Sequence, residues 1–124
     1  QGELLWWGPI SSGVDRCNVR DGCNTPTGHF RVIRKQDIDC VSTVFPRRAN
    51  GESGGALMPY CMHFFRGYAL HGSYDVPGYR ASHGCVRMFI EDARWLNEEF
   101  IDIPGEGMIG TRVVIDAPED MSKR

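Results

Sequence analysis

Apolar and polar residues alternate over short stretches through most of the chain, and glycine or proline cuts those stretches at close intervals. Residues 3–10 (ELLWWGPI), 28–36 (GHFRVIRKQ), 39–45 (DCVSTVF), 60–72 (YCMHFFRGYALHG, with a bend at Gly67) and 111–117 (TRVVIDA) are rich in β-branched and aromatic side chains and read as strands. One stretch follows a different period. In residues 88–100 (MFIEDARWLNEEF) Phe89, Ala93, Leu96 and Phe100 recur three or four apart, while Glu91, Asp92, Glu98 and Glu99 take the other side. Glu91 and Asp92 fall in the first turn of this helix, where negative charge suits its dipole. Short strands with one helix predict a mainly β fold, a β-sandwich of mixed sheets with one principal α-helix.

The chain has 124 residues and shows no repeat, low-complexity stretch or Pro/Ser-rich linker, which predicts one domain spanning 1–124. A formal net charge of -2, with both signs interspersed, gives no electrostatic case for nucleic acid or an anionic membrane as partner. No apolar run approaches the roughly 20 residues that span a bilayer, so no transmembrane segment is expected. Five cysteines in so short a chain (17, 23, 40, 61 and 85) change the picture, because that density belongs to oxidising compartments. If the protein is exported, the economical arrangement is two disulfides plus one free thiol. An odd count leaves at least one thiol unpaired, and the count alone does not say which.

Residues 81–88, ASHGCVRM, offer an answer. His83 precedes Cys85 by two positions, Arg87 follows it by two, and Gly84 permits a sharp turn with backbone donors facing outward. The helix predicted from residue 88 would place this loop at a helix N-terminus. Histidines, cations and helix N-termini all lower a thiol's pKa from its free value of about 8.5, which suits a nucleophile. A base is also needed, and His71 stands at the end of a strand at a Gly-Ser turn. One of its ring nitrogens can take the thiol proton while the other donates to a carbonyl, for which Gly72 is the nearest candidate. Two other readings compete. Cys85 alone fits a small buried hydrophobe. His63, His71, His83 and Cys85 together supply zinc-type ligands, yet neither HExxH nor a paired CxxC occurs, and no metal or other cofactor is expected. His29 and His63 read as structural, and the pairs Trp6-Trp7 and Phe64-Phe65 as packing.

The blocks SSG, TPTGHFRV (25–32), MPYCMHFF (58–65), ALHGS (69–73), SHGCVRM (82–88), DARWL (92–96) and GTRVVI (110–115), in this order, resemble the L,D-transpeptidase (YkuD-like) catalytic domain of bacterial cell-wall enzymes. The resemblance covers most of the chain. It implies that Cys85 is the acyl-accepting nucleophile, His71 its base and the Gly72 carbonyl the group that orients His71. It places His83, Gly84 and the Cys85 amide around the oxyanion, has Ser82 fix the loop, and has Arg87 hold the loop and attract a substrate carboxylate. The implied donor is a peptidoglycan stem tetrapeptide, attacked at the carbonyl before its terminal D-alanine to leave a thioester. An amine of another stem peptide then resolves it; water in that role would make an L,D-carboxypeptidase, and loss of chemistry would leave an envelope or host-interaction module on the same fold. Inhibition by carbapenems is a further implication.

Three departures from the family pattern set further expectations. His71 and Cys85 are 14 residues apart, at the short end for the family, so the connecting loop is compact, with Tyr74 and Tyr79 expected along the groove. The family domain begins one strand earlier, so an N-terminal strand is expected to be missing, with Gln1-Gly2 as the tail of its turn. The four other cysteines lie outside the catalytic motif; Cys17 with Cys23, flanking a turn at Asp21-Gly22, and Cys40 with Cys61, from adjacent strands, are the expected disulfides.

Overall fold

A computed structural model of the chain describes residues 3–13, 24–46, 55–82, 84–105 and 107–116. In chain order the elements are β1 (Ile10–Ser11), β2 (Gly28–Arg31), β3 (Arg34–Lys35), β4 (Val41–Pro46), β5 (Gly55–Leu57), β6 (Met62–Phe65), β7 (Tyr68–Ser73), β8 (Val86–Phe89), α1 (Ile90–Trp95), a π-helical turn Leu96–Phe100, β9 (Pro104–Gly105), β10 (Met108–Ile109) and β11 (Arg112–Ile115). Among the described residues the strands form a five-stranded sheet in the order β1-β8-β7-β6-β3 and the pairs β11-β2, β4-β5 and β10-β9. The fold is mainly β with a mixed main sheet and one short α-helix.

The chain reads as strands where it predicted them, with instructive differences. Residues 60–72 form the hairpin β6–β7, turning at Arg66-Gly67, with Arg66 itself at φ 51°. The stretch 28–36 is divided at Val32-Ile33 because the chain changes partner there: β2 pairs with β11, β3 with β6, and the amides of Val32 and Ile33 donate to Thr111 O and His63 O at 2.8 Å. Of 3–10 only Ile10 lies in a strand. The pattern there is an apolar run without true alternation, broken by Gly8-Pro9, and a proline has no N–H to give to a ladder. Trp6 meets Trp95 in a tilted contact (centroids 6.1 Å apart, planes at 41°) at the surface, and Trp7 is exposed, so this pair does not build the core. Phe64 does, and Phe30 of β2 lies 5.2 Å from its ring, joining the β11–β2 pair to the main sheet. Gln1, Gly2, Cys17 and Cys23 lie outside the described residues.

The helix differs most. Met88 and Phe89 belong to β8, so α1 begins at Ile90. Met88 is held in the sheet opposite Gly72, whose missing side chain makes room: a Cβ there would meet Ile90 Cα at 2.9 Å. After Trp95 the helix widens into the π turn around Asn97. Asn97 is buried and its Nδ2 donates to Gln36 O at 2.8 Å and Cys61 O at 3.3 Å, while Lys35 Nζ donates to the carbonyls of Asn97 (2.6 Å) and Ile101 (2.8 Å) at the helix end. A polar residue that bonds the sheet edge is what the apolar period did not register.

β7 and β8 are parallel, Leu70 opposite Val86 and His71 opposite Arg87. Parallel neighbours need a long return connection, supplied by residues 74–85, which brings Cys85 back level with Ala69. Side chains alternate across a strand, so the registers sort the sheet into two faces. One carries Met62, Leu70, Val86 and Met88 against α1 and β11, in a core with Val32, Ala93 and Ile101. The other carries His63, Ala69 and Cys85 in one row and Cys61, His71, Arg87 and Ser11 in the next.

Candidate active site

On that second face a cavity of about 190 Å³ is lined by His71, Ser73, Asp75, Ser82, Cys85 and Arg87 of the β7–β8 unit and by Ser42 and Met58 from the arm that carries β4 and β5. The Cys40–Cys61 disulfide ties this arm to the sheet, and the pair packs with Met58, Ala69 and Cys85. Cys85 is a free thiol. The structure therefore brings together Cys85, His71, Ser82 and Arg87 among the residues singled out by the sequence. Tyr74 and Tyr79 are not brought to the cavity wall: both side chains stand in solvent on the 74–82 loop, whose backbone, not its rings, is tied down. His83 lies outside the described residues.

His71 is only 6% exposed, and its Nδ1 sits 2.8 Å from the Gly72 carbonyl oxygen. A carbonyl only accepts, so this bond puts the proton on Nδ1 and leaves the Nε2 lone pair free in the neutral ring. Burial holds the His71 pKa below 6.5 against the Gly72 bond, which raises it, and the Arg87 charge lowers it further. Cys85 is equally buried, and its Sγ faces Gly67 O at 3.7 Å. Burial pushes this thiol up; the Ala69 amide and Arg87 pull the other way without reversing it. A helix N-terminus does not act on Cys85, contrary to the expectation from sequence. Strand β8 intervenes, and α1 starts five residues on. Both groups rest neutral near pH 7.

The turn before Cys85 is held from several sides. Gly84 takes φ 130°, and a Cβ there would strike the Tyr68 ring at 2.5 Å, so glycine is required twice over. Its amide donates to Ser82 Oγ at 3.1 Å, and Ser82 Oγ in turn donates to the Cys85 carbonyl. Thr25 Oγ1 donates to Gly84 O at 2.7 Å and accepts from the Gly13 amide at 2.9 Å. The return loop is strapped by Ser11 Oγ to Tyr79 O (2.6 Å), Arg80 Nε to Gly13 O (2.7 Å) and the amides of Ala81 and Ser82 to Ser12 O (3.0 Å each). Arg87 spans the cavity rim, donating to Asp75 and to Ala81 O.

Thr25 and Asp75 are site residues that the sequence reading did not single out. Thr25 was visible as part of TPTG, but its bond to the turn depends on a contact across 59 positions. Asp75 lies two residues past a Gly-Ser turn and gave no signal of its own. Among the described residues no group of three or more His, Cys, Asp or Glu side chains is placed to hold a metal.

The sequence matches the family model of the L,D-transpeptidase catalytic domain (YkuD) over residues 1–115. No curated protein matches it in sequence. Among solved structures, an L,D-transpeptidase from Xylanimonas cellulosilytica is 31% identical with a TM-score of 0.62, the match covering 86% of this chain and 48% of that one. The L,D-transpeptidase from Mycobacterium smegmatis is 20% identical at TM-score 0.68, covering 94% and 51%. L,D-transpeptidase 3 from Mycobacterium tuberculosis, in complex with a faropenem-derived adduct, is 23% identical at TM-score 0.63, covering 89% and 44%. The chain spans about half the length of these structures.

Proposed function

The chain belongs to the family of L,D-transpeptidase catalytic domains, and on that premise we propose that it transfers peptidoglycan stem peptides through a thioester on Cys85. The observation that carries this reading is the shared cavity: a free thiol, a histidine whose Nδ1 is committed to Gly72 O, and an arginine line one small space. In the forward step His71 Nε2 takes the Cys85 proton as Sγ attacks the carbonyl between the third residue of a tetrapeptide and its terminal D-alanine. Negative charge gathers on the carbonyl oxygen, and we assign the Cys85 amide as its donor, with His83 and Gly84 shaping the turn that presents it, since the Gly84 amide is taken by Ser82 Oγ. The C–N bond breaks, His71 returns its proton to the departing amine, and D-alanine leaves. An amine of a second stem peptide then gives its proton to His71 as it attacks the thioester carbonyl, the C–S bond breaks, and His71 passes that proton to Sγ, restoring the thiol.

A resting neutral pair fits this sequence of events. Proton transfer costs little when it is coupled to the new bond, and an imidazole with its pKa below 6.5 is free to accept at neutral pH. Arg87, in register with His71, is the assigned seat for a substrate carboxylate. We assign the protein to the bacterial exterior, periplasm, envelope or medium; the Cys40–Cys61 disulfide supports an oxidising compartment. The solved L,D-transpeptidases in complex with a faropenem-derived adduct and with imipenem support our assignment of β-lactams, carbapenems included, as reagents that acylate Cys85.

Intact-protein mass spectrometry tests the reading. Incubated with a stem tetrapeptide or with faropenem, the wild-type chain gains the acyl mass, and Cys85→Ala gains none while keeping its melting temperature within a few degrees. An adduct on the alanine variant overturns the mechanism. Absence of an adduct on the wild type with either reagent favours the non-catalytic module, and acylation followed by hydrolysis alone, with an amine acceptor present, favours the L,D-carboxypeptidase.

A further inference from the structure

Arg87 does not wait empty for its carboxylate. Asp75, from the return loop, places Oδ2 3.2 Å from Arg87 NH1, and the Asp75 carbonyl accepts from the same nitrogen at 3.3 Å. The two partners differ in their surroundings: the Arg87 side chain is 19% exposed and the Asp75 side chain 77%. Both line the cavity that holds Cys85 and His71. The contact is one-armed. NH1 takes both Asp75 acceptors, while NH2 reaches Ala81 O at 3.4 Å. A carboxylate entering the cavity can instead meet the guanidinium in the two-bond geometry that arginine favours. An exposed carboxylate already stabilised by water keeps little of its pairing energy, so the entering group has a weak competitor to displace.

We propose that Asp75 is a specificity-determining residue: it occupies the carboxylate seat on Arg87 at rest and yields it to donors that carry a free C-terminal carboxylate. The proposal rests on the reading of Cys85 and Arg87 given above and names the group that the donor must replace. It also has a consequence for turnover. The carboxylate that displaces Asp75 departs with the released D-alanine, so Asp75 returns to Arg87 once the thioester has formed and keeps the product from rebinding. The Asp75 carboxylate is not what holds the loop in place. Ser11, Ser12 and Arg80 tie residues 79–82, and Ser73 Oγ accepts from the Asp75 amide at 3.0 Å whatever its side chain.

The test compares two donors, a tetrapeptide ending in D-alanine and the same peptide ending in D-alaninamide. Acylation rates are read by mass as kcat/KM for each. Asp75→Asn is expected to raise the carboxylate-over-amide ratio by up to about fivefold, the most that an exposed pair withholds, and to lower the D-alanine concentration that inhibits by a similar factor. Asp75→Glu restores the carboxylate and is expected to bring the ratio back toward the wild-type value. In an Arg87→Gln background Asp75→Asn leaves the ratio unmoved. A ratio that stays at the wild-type value in Asp75→Asn overturns the proposal, and so does a rise that persists without Arg87, since Asp75 would then be only a repelling charge. A wild type that acylates with neither donor overturns the functional reading itself, whereas one that acylates while its ratio ignores Asp75 overturns only this assignment.

Discussion

His63 sits in the same row of the sheet as Cys85, with only the methyl group of Ala69 between them, and the proposed chemistry does not use it. It is 8% exposed, and its Nδ1 is buried without a hydrogen-bond partner. Burial above all, with the charges of Arg34 and His71 in support, lowers its pKa to about 4. The ring is thus neutral in the folded protein wherever the unfolded chain would still be neutral, and for some way below. The unfolded chain binds this proton as the pH falls below about 6.5, the folded protein only near 4. Stability from this group is therefore complete above about pH 6.5 and is lost as the pH falls from there toward about 4. At pH 5 the loss amounts to about 2 kcal/mol. His71, lowered for the same main reason, adds in the same direction. Urea midpoints at pH 7 and pH 5 check this: the wild type is expected to lose most of that amount beyond the drift of a His63→Gln variant, and equal drifts in the two proteins would refute it.

Elements were legible where one period ruled them and illegible where the chain changed partners. The hairpin of β6 and β7 and its bend at Gly67 follow from alternation plus a turn residue. The boundary between β8 and α1 does not, because Met88 and Phe89 satisfy a helical period as readily as a strand, and pairing to β7 decides it. That error carried into the site: a helix N-terminus expected at Cys85 lies at the far end of a strand. The grouping of Cys85, His71, Gly72 and Arg87 survived it, since two-residue alternation in neighbouring parallel strands is enough to bring them to one face or one edge. Asp75 and Thr25 needed loops to be placed, and no local period places a loop. Asn97 shows the same limit within a helix. Removing its side chain in Asn97→Ala leaves Gln36 O and Cys61 O without that donor and the π turn without its tie to the sheet, and the expected cost is about 2 kcal/mol. A urea midpoint that moves by less than a quarter of this, with unchanged slope, would mean that the tie is dispensable.

Across the whole molecule one sheet separates two tasks. Its Met62, Leu70 and Met88 face supplies the apolar burial that folds the chain, and its His71, Cys85 and Arg87 face supplies the cavity. A sheet one residue deep can do this because adjacent positions point to opposite sides, so neighbours in sequence answer to different demands. Arg87 and Met88 are such neighbours. Met88 is buried in the core, and Met88→Ala leaves a void where the surrounding side chains cannot fully close; the expected loss is about 2–5 kcal/mol of stability. Below its lowered melting temperature, that variant should still acylate at close to the wild-type rate. Arg87→Ala gives up a pair whose carboxylate lies in water, which costs under about 1 kcal/mol of stability. On the proposed reading it also removes the charged donor that meets the substrate carboxylate, and kcat/KM for a tetrapeptide with a free carboxylate should fall about ten- to a hundredfold. Urea melts and acylation followed by mass, run on the same two preparations, separate the tasks. A Met88→Ala protein that is stable but inactive, or an Arg87→Ala protein that unfolds, would show that the two faces are coupled through the strand and that the division fails.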